Sequence, residues 1–245
     1  MSFSNGPTVV TNGLVLALDA GDRNSYVSGS TTWIDLSGFN DFTLYNGVGF
    51  TSSFNGSLVL DGVDDYCYRN YPSNFPTSSQ LVTISVWFNQ SAASANTQGM
   101  EVFGIGNNAG GSGARLGVWL NAPNQIPFIT GSIGIEALNC GKFYSGSIVN
   151  PGTWMNLTAT LTGSKVDDIV LYLNGQLLSN TFSQSGNTTV NLNTGTSYLA
   201  VGTIPGATGA HMYRGSIGSI QVYNRALSAS EVLQNYNATK GRFGL

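Results

Sequence analysis

Alternating apolar and polar positions dominate this chain. Val82, Ile84, Val86 and Phe88 alternate with Thr83, Ser85 and Trp87. Met155, Leu157, Ala159 and Leu161 alternate with Asn156, Thr158 and Thr160, and Ile169, Leu171 and Leu173 repeat the pattern. A period of two marks a strand, because successive side chains point to opposite faces. Shorter stretches of the same kind lie at 13–22, 57–60 and 198–201, and two more strands fall between 99 and 120, on either side of a loop at 107–113. Asn174-Gly175, between apolar runs, predicts a tight hairpin, since both residues tolerate positive φ. Leu177-Leu178 begins the return strand.

The pattern changes near the end. Ile220 and Val222 alternate with Gln221 and Tyr223, and then Ser228 and Glu231 take the spacing of a capping box. Leu227 and Val232 are placed as a hydrophobic staple, and Val232, Leu233 and Tyr236 form a short stripe at helical spacing. Ile217 and Ile220 break the alternation, which predicts a β-bulge at Gly218.

About a dozen short strands and one terminal helix predict an all-β fold. No helical segments alternate with the strands, which argues against a parallel α/β sheet. The expected architecture is a jelly roll, a sandwich of two antiparallel sheets. Residues 1–12 read as a polar arm, 13–237 as one domain and 238–245 as a tail.

Composition narrows the function classes. Charged residues make up 9% of the chain, against roughly 25% in an average soluble protein. The nine Lys and Arg form no cluster and the net charge is −3, which excludes a polyanion such as nucleic acid as partner. No apolar run is long enough to span a membrane. Residues 1–13 carry neither a basic region nor a long apolar one, so no signal peptide is expected. Cys67 and Cys140 are either two reduced, buried thiols or one disulfide.

Seven segments occur in a telling order: GLVLALDAG (13–21), TTWIDLSG (31–38), GSLVLDGVDDY (56–66), VTISVWF (82–88), WMNLTATL (154–161), LYLNGQ (171–176) and GSIGSIQVYNRALSASEV (215–232). Together they resemble the concanavalin A-like, laminin G-type jelly-roll domains. The LDAG near the start and the closing run at 235–243 are similar to domains of tailed-phage virion proteins. The resemblance implies a sandwich whose edge loops carry function, with carbohydrates or proteins as ligands and often a structural calcium ion at one edge. It places Asp19 and Asp61 near that calcium. It also implies an acidic residue after the isoleucine of the last strand, where this chain has Gly218-Ser219 after Ile217.

The residues themselves offer two candidate sites. Asp61, Asp64 and Asp65 form an acidic turn that is either a Ca2+ site together with Asp19 or a set of carboxylates capping their own backbone. On the strand 114–120, Arg115 and Trp119 share a face with Asn121 nearby. They are either a sugar-binding platform or part of a covered core. Phe143 and Tyr144, in an expected aromatic loop, carry the same two readings.

Catalysis finds less support. Glu101, Glu136 and Glu231 are widely spaced, whereas glycoside hydrolysis needs a carboxylate pair at fixed separation. His211 lacks a Ser or Cys partner in a recognisable motif, and Asp167-Asp168 reads as a solvated turn. The expectation is a non-enzymatic virion surface protein, head-decoration or tail-associated, assembled in the host cytoplasm. Its expected partners are other virion proteins, further copies of itself and surface glycans. A free carbohydrate-binding, lectin-like module is the alternative, and a glycoside hydrolase or lyase of this fold is a third.

Overall fold

The computed structural model of the protein describes residues 7–77, 81–91, 99–120, 131–192, 197–207, 209 and 211–245. Asn121 and residues 1–6 of the expected arm lie outside them. The strands are β1 (Leu14–Asp19), β2 (Thr32–Trp33), β3 (Phe42–Tyr45), β4 (Gly49–Thr51), β5 (Ser57–Asp61), β6 (Tyr66–Asn70), β7 (Val82–Gln90), β8 (Met100–Gly106) and β9 (Arg115–Leu120). They continue as β10 (Ile133–Glu136), β11 (Gly141–Tyr144), β12 (Trp154–Leu161), β13 (Ile169–Leu173), β14 (Gln176–Leu177), β15 (Thr181–Gln184), β16 (Tyr198–Val201) and β17 (Arg214–Tyr223). One helix, α1 (Ala229–Thr239), follows.

Every pairing is antiparallel. The first sheet has eight strands in the order β14-β13-β12-β7-β17-β5-β4, with β1 also paired to β17. The second has nine, in the order β15-β11-β10-β9-β8-β16-β6-β3-β2. Their inner faces meet in one core. Ile84, Val86, Phe88, Leu157 and Ile220 of the first sheet join Phe103, Leu116, Val118 and Ile135 of the second. This is the two-sheet sandwich expected from the period-two pattern.

The local expectations have physical counterparts. Asn174 and Gly175 both take positive φ, 51° and 74°, and turn β13 into β14. The register of β17 against β7 shifts between Ile217 and Ser219, the bulge at Gly218. A side chain there would run into the Phe243 ring. Ser228 caps α1 reciprocally with Glu231, each accepting the other's backbone N–H. Leu227 and Val232 meet against Tyr223 and Tyr172.

Three expectations are corrected. Leu233 is exposed, because it lies about a third of a turn from Val232, and the buried partner on that face is Asn235 instead. Phe143 and Tyr144 stand on strand β11 rather than in a loop. Residues 238–245 finish α1 and fold back, seating Phe243 against Trp87 and Trp154 with ring centroids 4.2 and 4.6 Å away. Of the two readings of the cysteines, the structure takes the reduced one: both are buried and unbonded to each other, and burial raises both thiol pKa values.

Candidate functional site

The outer face of the second sheet holds a cluster of buried charged residues. In β9 the residues Leu116, Val118 and Leu120 face the core, so Arg115, Gly117 and Trp119 face outward. Glu101 lies opposite Trp119 on β8, and Glu136 lies opposite Gly117 on β10. The pairing therefore brings Arg115, Glu101 and Glu136 together from three neighbouring strands. Arg115 is 2% exposed and Glu101 is fully buried. The guanidinium donates to Glu136 Oε2 and to Asn108 Oδ1. Its Nη2 lies 3.6 Å from Glu101 Oε2, an ion-pair distance without a hydrogen bond.

Glu101 is accommodated by the absence of side chains around it. Its carboxyl lies over Gly104 and Gly117, and a Cβ on either residue would collide with it. Neither carboxylate oxygen has a hydrogen-bond partner among the described residues. Burial raises its pKa to about 8, because desolvation outweighs the attraction of Arg115, and the Glu136 charge adds to the rise. Arg115 moves upward too. Burial opposes its charge, and the two glutamates more than offset that.

A cleft of about 300 Å³ opens above this cluster. Arg115, Glu136, Asn108, Asn139, Gln184 and His211 bring polar groups to its lining, and Trp119 and Ile204 add apolar surface. Planar hydrogen-bonding groups beside an aromatic wall are suited to a small polar ligand.

Of the two readings of Trp119, the structure favours the covered one. The ring is 4% exposed. His211 lies over it, 4.6 Å from its centroid, and Ile204 packs against it and Phe143. The residue still lines the cleft, while its Nε1 is buried and has no hydrogen-bond partner among the described residues. Phe143 is buried in the same cluster, and Tyr144 is half-buried against the main core. Asn108, Glu136, Asn139 and Gln184 were missed from sequence. A strand alternation at 133–136, with isoleucines inward and Glu136 outward, was the available signal for one of them.

The acidic residues divide between two places. Asp61, Asp64 and Asp65 bring carboxylate oxygens within 4.8 Å of one another. Asp61 Oδ1 already accepts the Val63 N–H and Asp65 Oδ2 the Asp61 N–H. Burial raises the Asp65 pKa, and the charges of Asp61 and Asp64 add to this. Three carboxylates supply part of the roughly six to eight oxygens calcium takes, so the turn would have to lend carbonyls as well. Asp19 is outside this group. It pairs with Arg242, which also donates to the carbonyls of Phe54, Gly56 and Gly218.

Comparison with known proteins places this geometry in context. No curated protein matches the chain. Among solved structures, domain 4 of AbnA, a GH43 extracellular arabinanase from Geobacillus stearothermophilus in complex with arabinotriose, superposes with a TM-score of 0.61 at 17% identity. The match covers 91% of this chain and 98% of that one. Trypanosoma rangeli sialidase, in complex with sialic acid, gives a TM-score of 0.65 at 16% identity over 98% of this chain and 36% of its own. The ligand-binding domain of botulinum neurotoxin serotype D, in complex with N-acetylneuraminic acid, gives 0.61 at 14%, covering 91% of this chain and 50% of that chain. The chain thus spans about a third of the sialidase and half of the toxin domain.

The expectation of a non-enzymatic protein is corrected by these neighbours, since the arabinanase and the sialidase are glycoside hydrolases. The likeness is distant, and in each enzyme the matched part is a domain. The family model described as the concanavalin A-like lectin/glucanases superfamily matches residues 61–233. With its two-sheet sandwich and ordered motifs, the chain belongs to the concanavalin A-like lectin/glucanase superfamily.

Proposed function

We propose that the chain is a carbohydrate-binding domain that takes its glycan in the cleft above Arg115. The observation carrying this reading is the lining itself. Arg115, Glu136, Asn108, Asn139 and Gln184 present planar donors and acceptors beside Trp119. Sugar hydroxyls demand such paired groups, and the apolar faces of a sugar ring suit an aromatic wall. The glycan ligands named for three solved neighbours of the same fold add support.

A glycan array followed by calorimetry tests the proposal. Binding of at least one glycan, weakened about tenfold by Asn139→Ala or Gln184→Ala, is expected. The absence of binding on a broad array, or binding indifferent to both substitutions, would reject the cleft.

A finer reading places the domain on the surface of a phage-like particle, in head decoration or tail, with other virion proteins or copies of itself as neighbours. The closing segment 235–243 motivates it. Mass spectrometry of purified particles decides, and absence of the protein from them would end that reading.

A further inference from the structure

The same outer face carries a second feature beyond the cleft. Tyr45 on β3, Tyr66 and Tyr68 on β6 and Tyr198 on β16 form a continuous line of rings. Tyr45 stacks on Tyr66 at 4.8 Å and 14°, Tyr66 meets Tyr68 edge-on at 6.3 Å, and Tyr68 meets Tyr198 at 4.9 Å. The register sets all four outward, since Tyr45 pairs with Tyr66, and Ala200, two residues from Tyr198, with Tyr68. The rings are partly open: Tyr45 is 40% exposed and the other three are half-buried. A second hollow of about 390 Å³ lies beside them, lined by Thr43, Asn70, Asp41 and Arg69 along with Tyr45 and Tyr68.

The line and the cleft are neighbours on this face. Gly206 lies beside both, since a Cβ there would touch the Tyr198 ring and the Asn108 backbone at ordinary van der Waals distance. Asn108 lines the cleft. Tyr198 lies across β8 from Arg115, because Gly106 pairs with both.

We infer that the tyrosine line is a second sugar subsite, so that the ligand is an extended, neutral polysaccharide lying across the strands from the cleft to β3. This rests on the carbohydrate reading of the cleft. The chemistry at the line favours that occupant. A protein partner would want aliphatic and aromatic anchors in a dry patch, whereas here the rings of Tyr45, Tyr68, Tyr71 and Pro72 share the hollow with the hydroxyl, amide and carboxylate of Thr43, Asn70 and Asp41. A polyanion would need free cations. The guanidinium of Arg69 is committed to the carbonyls of Phe39 and Asp41. Phenols offer an apolar edge and a hydroxyl together, the pairing a sugar ring presents in return. Neighbouring strands are about 5 Å apart, close to the length of one sugar unit, so successive units can meet successive strands.

The test is affinity electrophoresis of the full chain in gels containing arabinan, xylan, mixed-linkage β-glucan or galactomannan. Calorimetry then follows with oligosaccharides of increasing length from whichever polymer retards it. Affinity is expected to rise with chain length. Tyr45→Ala and Tyr66→Ala should weaken polymer and long-oligomer binding by about five- to tenfold while leaving the shortest binding oligomers unaffected. Asn139→Ala should weaken every length. Tyr45→Phe and unchanged melting temperatures control for folding. Length-independent affinity, or tyrosine variants that bind polymer as wild type does, would overturn the second subsite and leave the cleft intact. Failure of every polymer and every arrayed glycan would overturn both.

Discussion

Arg115 and Arg242 lie over different sheets, and each is held by a cage of oxygens. Arg115 meets two carboxylates and an amide, and beside it the protein is open. Arg242 meets one carboxylate, Asp19, and three backbone carbonyls, and its guanidinium bridges the end of β1, the turn before β5 and the bulge of β17. The second arrangement is balanced in charge and closes a seam in the fold. The first has one negative charge too many. Its excess is relieved by pushing the Glu101 carboxyl toward its protonated form. A charge arrangement that fits poorly by itself and borders a cleft is where a ligand finds unused hydrogen-bonding capacity.

Removing each arginine probes the contrast most strongly. Arg115→Met leaves the largely buried Glu136 carboxylate and the Asn108 amide without their partner, and urea denaturation should show a loss of about 3–5 kcal/mol. Arg242→Met breaks a mostly buried pair and several carbonyl bonds, with an expected loss of about 2 kcal/mol. Equal losses would mean that the two cages do the same work. Phe243→Ala falls between them at about 3 kcal/mol, because the ring is buried between two tryptophans. A loss below about 1 kcal/mol would show that residues after Thr239 are not part of the folded unit.

The two regions were unequally legible in the sequence. The seam could be read in part: Ser228 with Glu231, Leu227 with Val232 and the bulge at Gly218 are all local patterns. Arg242 reaching Asp19 was not readable, since 223 residues separate them. The site was harder still. Trp119 looked like an open platform or a core residue because alternation gives the face and not what covers it, and the cover is contributed by Ile204 and His211. Glu101 and Glu136 seemed too far apart to act together. Strand register, which no local pattern in β8 to β10 announces, brings both to Arg115.

The two regions also differ in sign with pH. Glu101 has a folded pKa of about 8, above its unfolded value. The folded state therefore binds a proton that the unfolded state has released. This contribution to stability is fully present below about pH 4.5 and is lost as pH rises toward 8. Glu231 is opposite. Its hydrogen bonds with Arg225, then with Ser228, hold its pKa at about 2, so its contribution is present above about pH 4.5 and is lost as pH falls toward 2. Denaturation midpoints measured from pH 3 to 9 should fall on both sides. Glu101→Gln should flatten the alkaline fall and leave the acid one. An unchanged alkaline fall in that variant would remove Glu101 as the source of the excess charge.

The smallest effect belongs to the helix cap. Arg225 and Glu231 are each more than a quarter exposed, so their ion pair is screened by water and salt. Ser228→Ala removes the oxygen that accepts the Glu231 N–H and should cost about 1 kcal/mol. Most of that loss should persist in 1 M salt, because a cap is a short-range hydrogen bond. Arg225→Met should cost less, about 0.5 kcal/mol, and its cost should vanish at high salt. If instead the Arg225 effect survives in salt and exceeds that of Ser228, the seam would depend on a buried charge after all. Its contrast with the Arg115 cluster would then narrow to the presence of the cleft.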